Sequence, residues 1–403
     1  MERIILHIDV NNAFLSWSAV WMLKNGYGKD IRNGYAIIAG DESQRRGIVL
    51  AKSNLCKKKG VKTAEAIYSA RRKCPYLEVY PPRFDVYKKF SDMMYEYLCN
   101  YTNIIERYSV DECFLDYTGS VNLFGDPVEV AYKIRDDIYK KFGFTVNVGI
   151  GNNKLLAKMA SDFEKPNKVH TLFSSEVESK MFSLPIEDLF MIGKASSEKL
   201  RKMGINTIGQ LARYPENELI LKFKSMGKMM HNYANGIDDS PVYFEKEEPK
   251  SISNSTVLPY NYRDMELLKN VIRKLSGEVG KKLRDNKLFA DTIGIWFKYT
   301  YFDKISKQLK LDNSIVTDEE IYDNALRLFK ELWNGEDGVR AVCVFVSGLS
   351  NERKLQLSLF DDISSNNDLT RDDKLQEIID DIRDKFGDDV IGFANEYDRK
   401  RGE

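Results

Sequence analysis

Two strand-like segments that carry carboxylates constrain the fold of this chain more than any other feature. Residues 4–10 form an apolar segment with Asp9 near its end, and residues 109–116 (Ser-Val-Asp-Glu-Cys-Phe-Leu-Asp) contain the adjacent acids Asp111 and Glu112. Because successive side chains of a strand point to opposite faces, such a pair marks either a solvated turn or a charged site. A solvated turn is the commoner outcome for an isolated pair. Three acids that converge on one sheet edge, however, most often share a metal ion.

Length and composition exclude several classes of protein. A chain of 403 residues suits two to four domains. It has no apolar run of membrane-spanning length, and its start lacks the layout of a signal peptide, so we expect a cytoplasmic protein without a membrane partner. The five cysteines are scattered without a CxxC motif and there are only three histidines, which argues against zinc and against a disulfide framework. Any metal chemistry should therefore use oxygen ligands.

The net charge of zero conceals an uneven distribution. Residues 361–403 contain 14 acids and 7 bases, which leaves residues 1–360 with 54 bases and 47 acids. The richest stretch, 271–310, has ten bases and four acids, and a second basic cluster lies at 52–62. Such patches can hold phosphate backbones, although solvated helix faces explain each patch equally well.

The order of elements predicts an α+β fold of several domains. Strand character is found at residues 4–9, 35–39, 48–51, 104–108, 113–116 and 145–150, and helical character at 12–25, 84–99, 127–142 and 153–163. One strand–helix–strand–strand–helix–strand path, with residues 26–77 as an insertion, is the split βαβ plan. This plan places Asp9 on a strand next to the one that carries Asp111 and Glu112.

The remaining chain divides into segments that differ in predicted secondary structure and charge. Residues 166–240 are helical with short loops, and 192–205 resemble a helix-hairpin-helix, for which an ordinary helical turn remains the alternative. A compact unit at 251–350 follows, with a long basic helix at 266–287 and strands at 291–299 and 339–347. The acidic tail has helical periodicity over residues 372–386, and it either packs back on the body or binds a partner.

In this order, over about residues 3–360, the motifs resemble those of a Y-family translesion DNA polymerase of the bacterial DNA polymerase IV/UmuC branch. The resemblance is carried by His-Ile-Asp-Val-Asn-Asn-Ala-Phe at 7–14, by the segment 109–116 and by Lys-Pro-Asn at 165–167. It implies a right-hand polymerase with a split βαβ palm, small fingers, a helical thumb and an α/β little finger. The implied domains are palm 1–25 and 78–165, fingers 26–77, thumb with helix-hairpin-helix 166–240, little finger 251–350, clamp-binding peptide 354–361 and acidic helical tail 362–403.

The resemblance also implies an activity, a cofactor and site residues. The activity is addition of dNTPs to a primer 3′-OH on template DNA, with low fidelity and past damaged bases. Asp9 and Asp111 would bridge two Mg²⁺ ions, Glu112 would bind the ion near the primer, and the Val10 carbonyl would bind the ion on the nucleotide side. Phe14 falls at the position of the steric gate, where an aromatic ring leaves no room for a ribose 2′-OH.

The expected triphosphate contacts depart in part from the family pattern. Lys165 matches the triphosphate lysine. In the fingers, Ala51, Asn54 and Lys57 stand where the family usually has threonine, tyrosine and arginine. Lys57 can meet a phosphate as a point charge without the bidentate fork of arginine, and Ser53 and Asn54 are alternative donors. The helix-hairpin-helix also departs, with methionine at position 191 where the family often has glycine.

A short peptide after the little finger resembles the motif that binds the bacterial sliding clamp. Its expected contacts are Gln356, Leu357, Leu359 and Phe360, with the apolar side chains filling a groove and the glutamine fixing the register. The implied partners are therefore primer–template DNA, dNTP and the clamp, bound by a monomer.

Two other functions fit part of the pattern. A non-catalytic, polymerase-like adaptor would bind DNA and the clamp but would not need three converging acids. A nucleotide cyclase would use the split βαβ sheet and two metal ions, but it has no role for the hairpin, the basic unit or the clamp peptide.

Overall fold

The computed structural model describes residues 2–42, 47–243, 248–354, 375–376, 378–387 and 390–391. The described residues form two compact units, with 2–42 and 47–243 in the first and 248–354, 375–376, 378–387 and 390–391 in the second. Within the described residues, no helix has the length and apolar character needed to cross a membrane.

The first unit contains eight strands and twelve α-helices among its described residues. The strands are β1 Ile5–Val10, β2 Ala36–Ala39, β3 Val49–Lys52, β4 Glu78–Tyr80, β5 Ile105–Arg107, β6 Glu112–Asp116, β7 Val146–Gly151 and β8 Val169–Leu172. The helices are α1 Ala13–Lys24, α2 Asn54–Lys58, α3 Ile67–Lys73, α4 Phe84–Leu98, α5 Val121–Phe124, α6 Pro127–Phe142, α7 Lys154–Asp162, α8 Val177–Met181, α9 Lys194–Lys202, α10 Ile208–Ala212, α11 Glu216–Phe223 and α12 Ser225–Ala234.

A five-stranded sheet in the order β5-β6-β1-β7-β8 forms the centre of the first unit. Strand β1 is antiparallel to both β6 and β7, and β8 runs parallel to β7. This confirms the predicted split βαβ plan, and all of the predicted strands and helices of this sheet are present. Strand β8 was not predicted; it adds a further edge strand.

Helices cover both faces of this sheet. On one face α1, α4 and α6 bury a core with the strands, to which they contribute Trp17, Tyr87 and Ile134. Helix α7 packs on the opposite face, against β7, β1 and β8. Its buried residues Leu155 and Leu156 belong to the core of the α8–α12 helices. Helix α7 therefore packs both on the sheet that carries the acids and on the helical segment α8–α12.

The insertion 26–77, together with β4, forms a second, smaller sheet within the first unit. Strands β3, β2 and β4 make a three-stranded sheet, with β2 antiparallel to β3 and parallel to β4. Helices α2 and α3 contribute Cys56, Ile67 and Ala70 to its core. Strand β4, which starts at Glu78, was not predicted.

The second unit is a four-stranded antiparallel sheet covered by two helices. Its elements are β9 Ser251–Tyr262, α13 Met265–Asp285, β10 Phe289–Tyr299, β11 Lys304–Ile315, α14 Asp318–Leu332 and β12 Val339–Ser350, with strand order β11-β10-β12-β9. The predicted basic helix and both predicted strands are confirmed within three residues at each end. Strands β9 and β11 carry many exposed polar residues, which weakens the alternation that predicts a strand.

The described part of the acidic tail is helical over residues 375–376 and 378–386 and packs on the second unit. Arg284 pairs with Asp380 at 2.5 Å and with Asp318 at 2.9 Å, and Arg383 pairs with Asp318 at 3.3 Å. Leu375 remains more than half exposed. The helix thus docks mainly through ion pairs. The predicted clamp peptide, Gln356 to Phe360, lies outside the described residues.

Candidate active site

The β1–β6 pairing brings the predicted acids to one end of the central sheet. Asp9 lies directly opposite Glu112 in the register, and residues opposite each other in an antiparallel pair share a face. Asp111 lies immediately before β6, where its carbonyl accepts a hydrogen bond of 3.0 Å from the Val10 amide. The Ser109 hydroxyl donates to the Asp111 carboxylate at 2.7 Å. Residues about a hundred positions apart in the chain therefore meet at adjacent strand ends.

Helix α7 lies over the same face and supplies positive charge to it. The Lys158 ammonium, on α7, pairs with the Glu112 carboxylate and lies 3.5 Å from Asp162. The Lys165 ammonium, just beyond the helix, pairs with Asp9 and lies 2.7 Å from Asp162. Two of the three predicted acids are thus held by lysines from one short segment.

Burial and these ion pairs shift the pKa values of the site's charged groups in opposite directions. Asp9 is 6% exposed, and this burial raises the pKa of its carboxyl, opposed by the nearby charge of Lys165. Burial works to lower the pKa of Lys158, but the hydrogen bond to Glu112 and the charges of Asp162 and Asp9 outweigh it and raise that pKa. The pKa of Lys165 is raised in the same way, against the effect of burial. Both lysines are therefore cations at neutral pH.

The donor set suits a hard divalent cation. Asp9, Asp111 and Glu112 provide only carboxylate oxygens, and the Val10 backbone lies beside them, which is the ligand chemistry that Mg²⁺ prefers. Across the described residues, no three His, Cys, Asp or Glu side chains are gathered closely enough to hold an ion as they stand. The ammonium groups of Lys158 and Lys165 occupy the acids in this arrangement. The acids fit the ion chemically, and cation binding at Asp9 requires its carboxylate to turn from Lys165.

Phe14 stands on the first turn of α1 with its ring held by other aromatic rings. It stacks on Tyr87 at 4.6 Å between centroids with an interplanar angle of 8°, and it meets Phe84 edge-on at 6.1 Å. The Tyr87 hydroxyl is itself bonded to Ser18 at 2.8 Å. A ring packed in this way cannot easily turn aside, which is what a steric gate requires.

The three predicted contacts in the insertion differ in accessibility. Asn54 and Lys57 are exposed on α2. Ser53 is fully buried, and its hydroxyl accepts hydrogen bonds from the Cys56 amide at 3.2 Å and the Ala36 amide at 3.4 Å. The structure therefore gives Ser53 the role of helix N-cap, and its contact with the nucleotide stays a prediction.

Lys165 is carried by a loop with a fixed backbone. The Asn147 side chain donates to the carbonyls of Ser161 at 2.9 Å and Glu164 at 2.7 Å, and the Asn11 side chain accepts from the Asn167 amide at 2.8 Å. The Lys165 side chain is 39% exposed. A partly exposed ammonium on a fixed backbone can change partners.

Sequence reasoning missed Lys158. It lies on the predicted helix 153–163, but helical periodicity gives no signal for its partner Glu112, which is 46 residues away in the chain. Sequence reasoning also missed Asn147, for which the strand pattern offers no signal because the partners of its side chain, such as Asn11 and the Glu164 carbonyl, are remote in the chain.

In the helical segment α8–α12, a tight turn precedes α9. Met191 has φ 69°, in the left-handed region, and Gly193 is the N-cap of α9. Methionine thus occupies a conformation that favours glycine, the residue expected there from the family pattern, and nothing in the structure explains the substitution.

The central split βαβ sheet carries carboxylates at adjacent strand ends, and the chain adds a three-stranded insertion, a helical segment and a separate basic α/β unit. These features together define a palm-type nucleotide polymerase. The impB/mucB/samB family model matches residues 8–162, its C-terminal domain matches 249–359, and the thumb domain of DNA polymerase-iota matches 187–238. The chain belongs to this family, the Y-family of translesion DNA polymerases.

Similar proteins agree with the family models. The chain is 44% identical over 391 residues to DNA polymerase IV of Clostridium acetobutylicum, with 97% of each chain covered, and 34% identical to DNA polymerase IV 2 of Bacillus subtilis, with 97% of this chain and 93% of that one covered. A chimera of the Y-family polymerases Dbh and Dpo4 is similar at a TM-score of 0.75 and 26% identity, over 86% of this chain and 98% of that one. DinB from Sulfolobus solfataricus is similar at a TM-score of 0.56 and 25% identity, over 85% of this chain and 98% of that one.

Membership of this family makes the chain a DNA-directed DNA polymerase, a nucleotidyltransferase of translesion synthesis and DNA repair that acts on DNA and nucleotides and depends on a divalent metal. The non-catalytic adaptor is not supported by these findings. The nucleotide cyclase leaves the thumb and C-terminal matches without a role.

Proposed function

We propose that dNTP is joined to the primer 3′-OH at the strand ends where Asp9, Asp111 and Glu112 lie, with two Mg²⁺ ions held by these acids and by the Val10 carbonyl. The observation that carries this proposal is the register that sets Asp9 opposite Glu112, with Asp111 adjacent. Bound Mg²⁺ would lower the pKa of the attacking hydroxyl and neutralise charge on the leaving pyrophosphate.

The side chains around the acids then bind and select the nucleotide. Lys165 exchanges its pair with Asp9 for the triphosphate, which its 39% exposure and fixed loop allow. Asn54 and Lys57 reach the phosphates from α2, since both are exposed. Phe14 excludes a ribose 2′-OH by the ring that Tyr87 holds in place.

Contacts with DNA and the clamp complete the proposal. Lys304 and Lys310 are exposed on β11, and Lys304 lies 4.6 Å from the Trp296 ring, so this strand offers positive charge to a phosphate backbone. Gln356, Leu357, Leu359 and Phe360 bind the sliding clamp. The protein acts in the cytoplasm as a monomer.

Primer extension with Mg²⁺ and dNTPs tests the metal site. Asp111→Ala removes a ligand of both ions and should lower the extension rate at least about a hundredfold, because metal ions supply several kcal/mol of transition-state stabilisation. Asp85→Ala is the control, since this acid on α4 is 73% exposed and is not among the proposed metal ligands. Undiminished extension by Asp111→Ala would overturn the assignment.

The clamp contact has a separate test. Deletion of residues 356–360 should leave extension on naked primers unchanged and remove its stimulation by the clamp. Stimulation that persists in the deletion variant would refute the contact without affecting the proposed metal site.

A further inference from the structure

Three acids in one place need positive charge nearby, and in this structure two lysines provide it. The two lysine side chains differ in how far they are exposed. The Lys158 side chain is 11% exposed where it pairs with Glu112, whereas the Lys165 side chain is 39% exposed where it pairs with Asp9. Asp162 lies between the two ammonium groups, at 3.5 Å and 2.7 Å. In the proposed function Lys165 leaves Asp9 to bind the triphosphate. Lys158 has no proposed contact with the nucleotide.

The packing of α7 holds the backbone of Lys158 in place, and the Lys158 side chain is only 11% exposed. Its neighbours Ala157 and Ser161 are fully buried, and the Ser161 hydroxyl is bonded to the ring of His7 at 2.8 Å. The Asn147 side chain donates to the Ser161 carbonyl, which ties the helix to β7. The ammonium therefore stays beside the acids while the nucleotide binds and leaves.

We infer that Lys158 is a positioning residue: a fixed counter-ion that orients Glu112 and limits the affinity of the acids for divalent cations. The inference rests on the proposed function, because it requires that the acids bind metal. A fixed positive charge weakens the binding of a second cation by Coulomb repulsion, and this effect is large where side chains are only slightly exposed. Weaker binding favours exchange of ions and pyrophosphate after each addition.

The test measures equilibrium Mn²⁺ binding by electron paramagnetic resonance in the full-length protein, together with Tm in the presence of a chelator. Lys158→Met should bind Mn²⁺ about tenfold more tightly, because a unit charge facing a dication is removed. Its Tm without metal should fall, because the acids lose their counter-ion, and saturating Mn²⁺ should restore most of the difference. Lys158→Gln, which keeps a hydrogen-bond donor, should also tighten binding, and Lys158→Arg should not.

Lys154→Met is the matched control. Lys154 lies one turn earlier on α7 and pairs with Glu106 at 2.7 Å, with side-chain exposures of 12% and 15%, close to those of the Lys158 pair. Its loss should lower Tm and leave the Mn²⁺ affinity unchanged. A merely structural Lys158 would give the same result as Lys154.

Each result has one meaning. Unchanged or weaker Mn²⁺ binding by both Lys158→Met and Lys158→Gln overturns the inference, provided that Asp111→Ala abolishes the binding seen in the wild type. Wild-type binding that Asp111→Ala leaves intact overturns the proposed metal site instead. The Gln variant decides the question if the Met variant fails to fold.

Discussion

Replacing Gly149 by alanine tests how closely α7 must lie against the central sheet. Gly149 is in β7, paired with His7 of β1, on the face that α7 covers. An alanine Cβ at this position would lie 2.0 Å from the Ala157 carbonyl oxygen and 2.4 Å from the Ser161 amide nitrogen. Both atoms belong to the α7 backbone, so no side-chain rotation can relieve the overlap.

The magnitude follows from these distances. Ordinary contacts of a Cβ begin at 3.4 Å. Helix α7 would therefore have to move by about 1.4 Å, the difference between 3.4 Å and 2.0 Å, and overpacking of a well-packed core costs about 1–3 kcal/mol or more. Because the obstacle is backbone, we expect the upper end, about 3 kcal/mol. The same movement displaces Lys158 from Glu112, and a misplacement of about 1 Å can lower a catalytic rate about a hundredfold.

Guanidinium unfolding followed by tryptophan fluorescence measures the first effect, and primer extension with Mg²⁺ measures the second. Trp17 and Trp21 report on the first unit, so its transition should move to lower denaturant. Gly119→Ala is the control, since nothing lies within 4 Å of its Cβ position and its φ is not in the left-handed region. A Gly149→Ala protein within about 1 kcal/mol of wild type and with full activity would refute the close packing of α7 on β7.

Three further predictions concern other parts of the chain. Phe14→Ala should raise ribonucleotide incorporation at least about tenfold relative to dNTP incorporation, because the ring is removed; single-nucleotide extension with each substrate measures the ratio, and an unchanged ratio excludes the gate. Arg284→Met should destabilise the second unit by about 2–3 kcal/mol and expose the tail helix to hydrogen exchange, because it removes the main cationic partner of the largely buried acids Asp318 and Asp380. Lys307→Met, whose partner is exposed, should cost less than about 0.5 kcal/mol. Met191→Gly should stabilise the first unit by about 0.5–1 kcal/mol in thermal unfolding, because it relieves a left-handed residue, and a loss of stability would contradict this reasoning.

Local patterns determined four of the five strands of the central sheet and the order of those four. The apolar alternation around Asp9 and around Glu112 predicted β1 and β6, and the split βαβ plan then made them neighbours, as the register shows. The steps hold because strand and helix periodicity depend mainly on residues close in the chain. Motif spacing identified the family for the same reason, since the acids and Lys165 keep their order and context along the chain.

Tertiary structure alone decided which charges meet and which polar groups are free. Lys158 and Glu112 are 46 residues apart, and only the docking of α7 on β7 makes them partners. Ser53 is as polar in sequence as Asn54, yet the fold buries it as a cap and leaves its neighbour exposed. Ion pairs and burial depend on distances between segments that are remote along the chain, and periodicity carries no information about those distances.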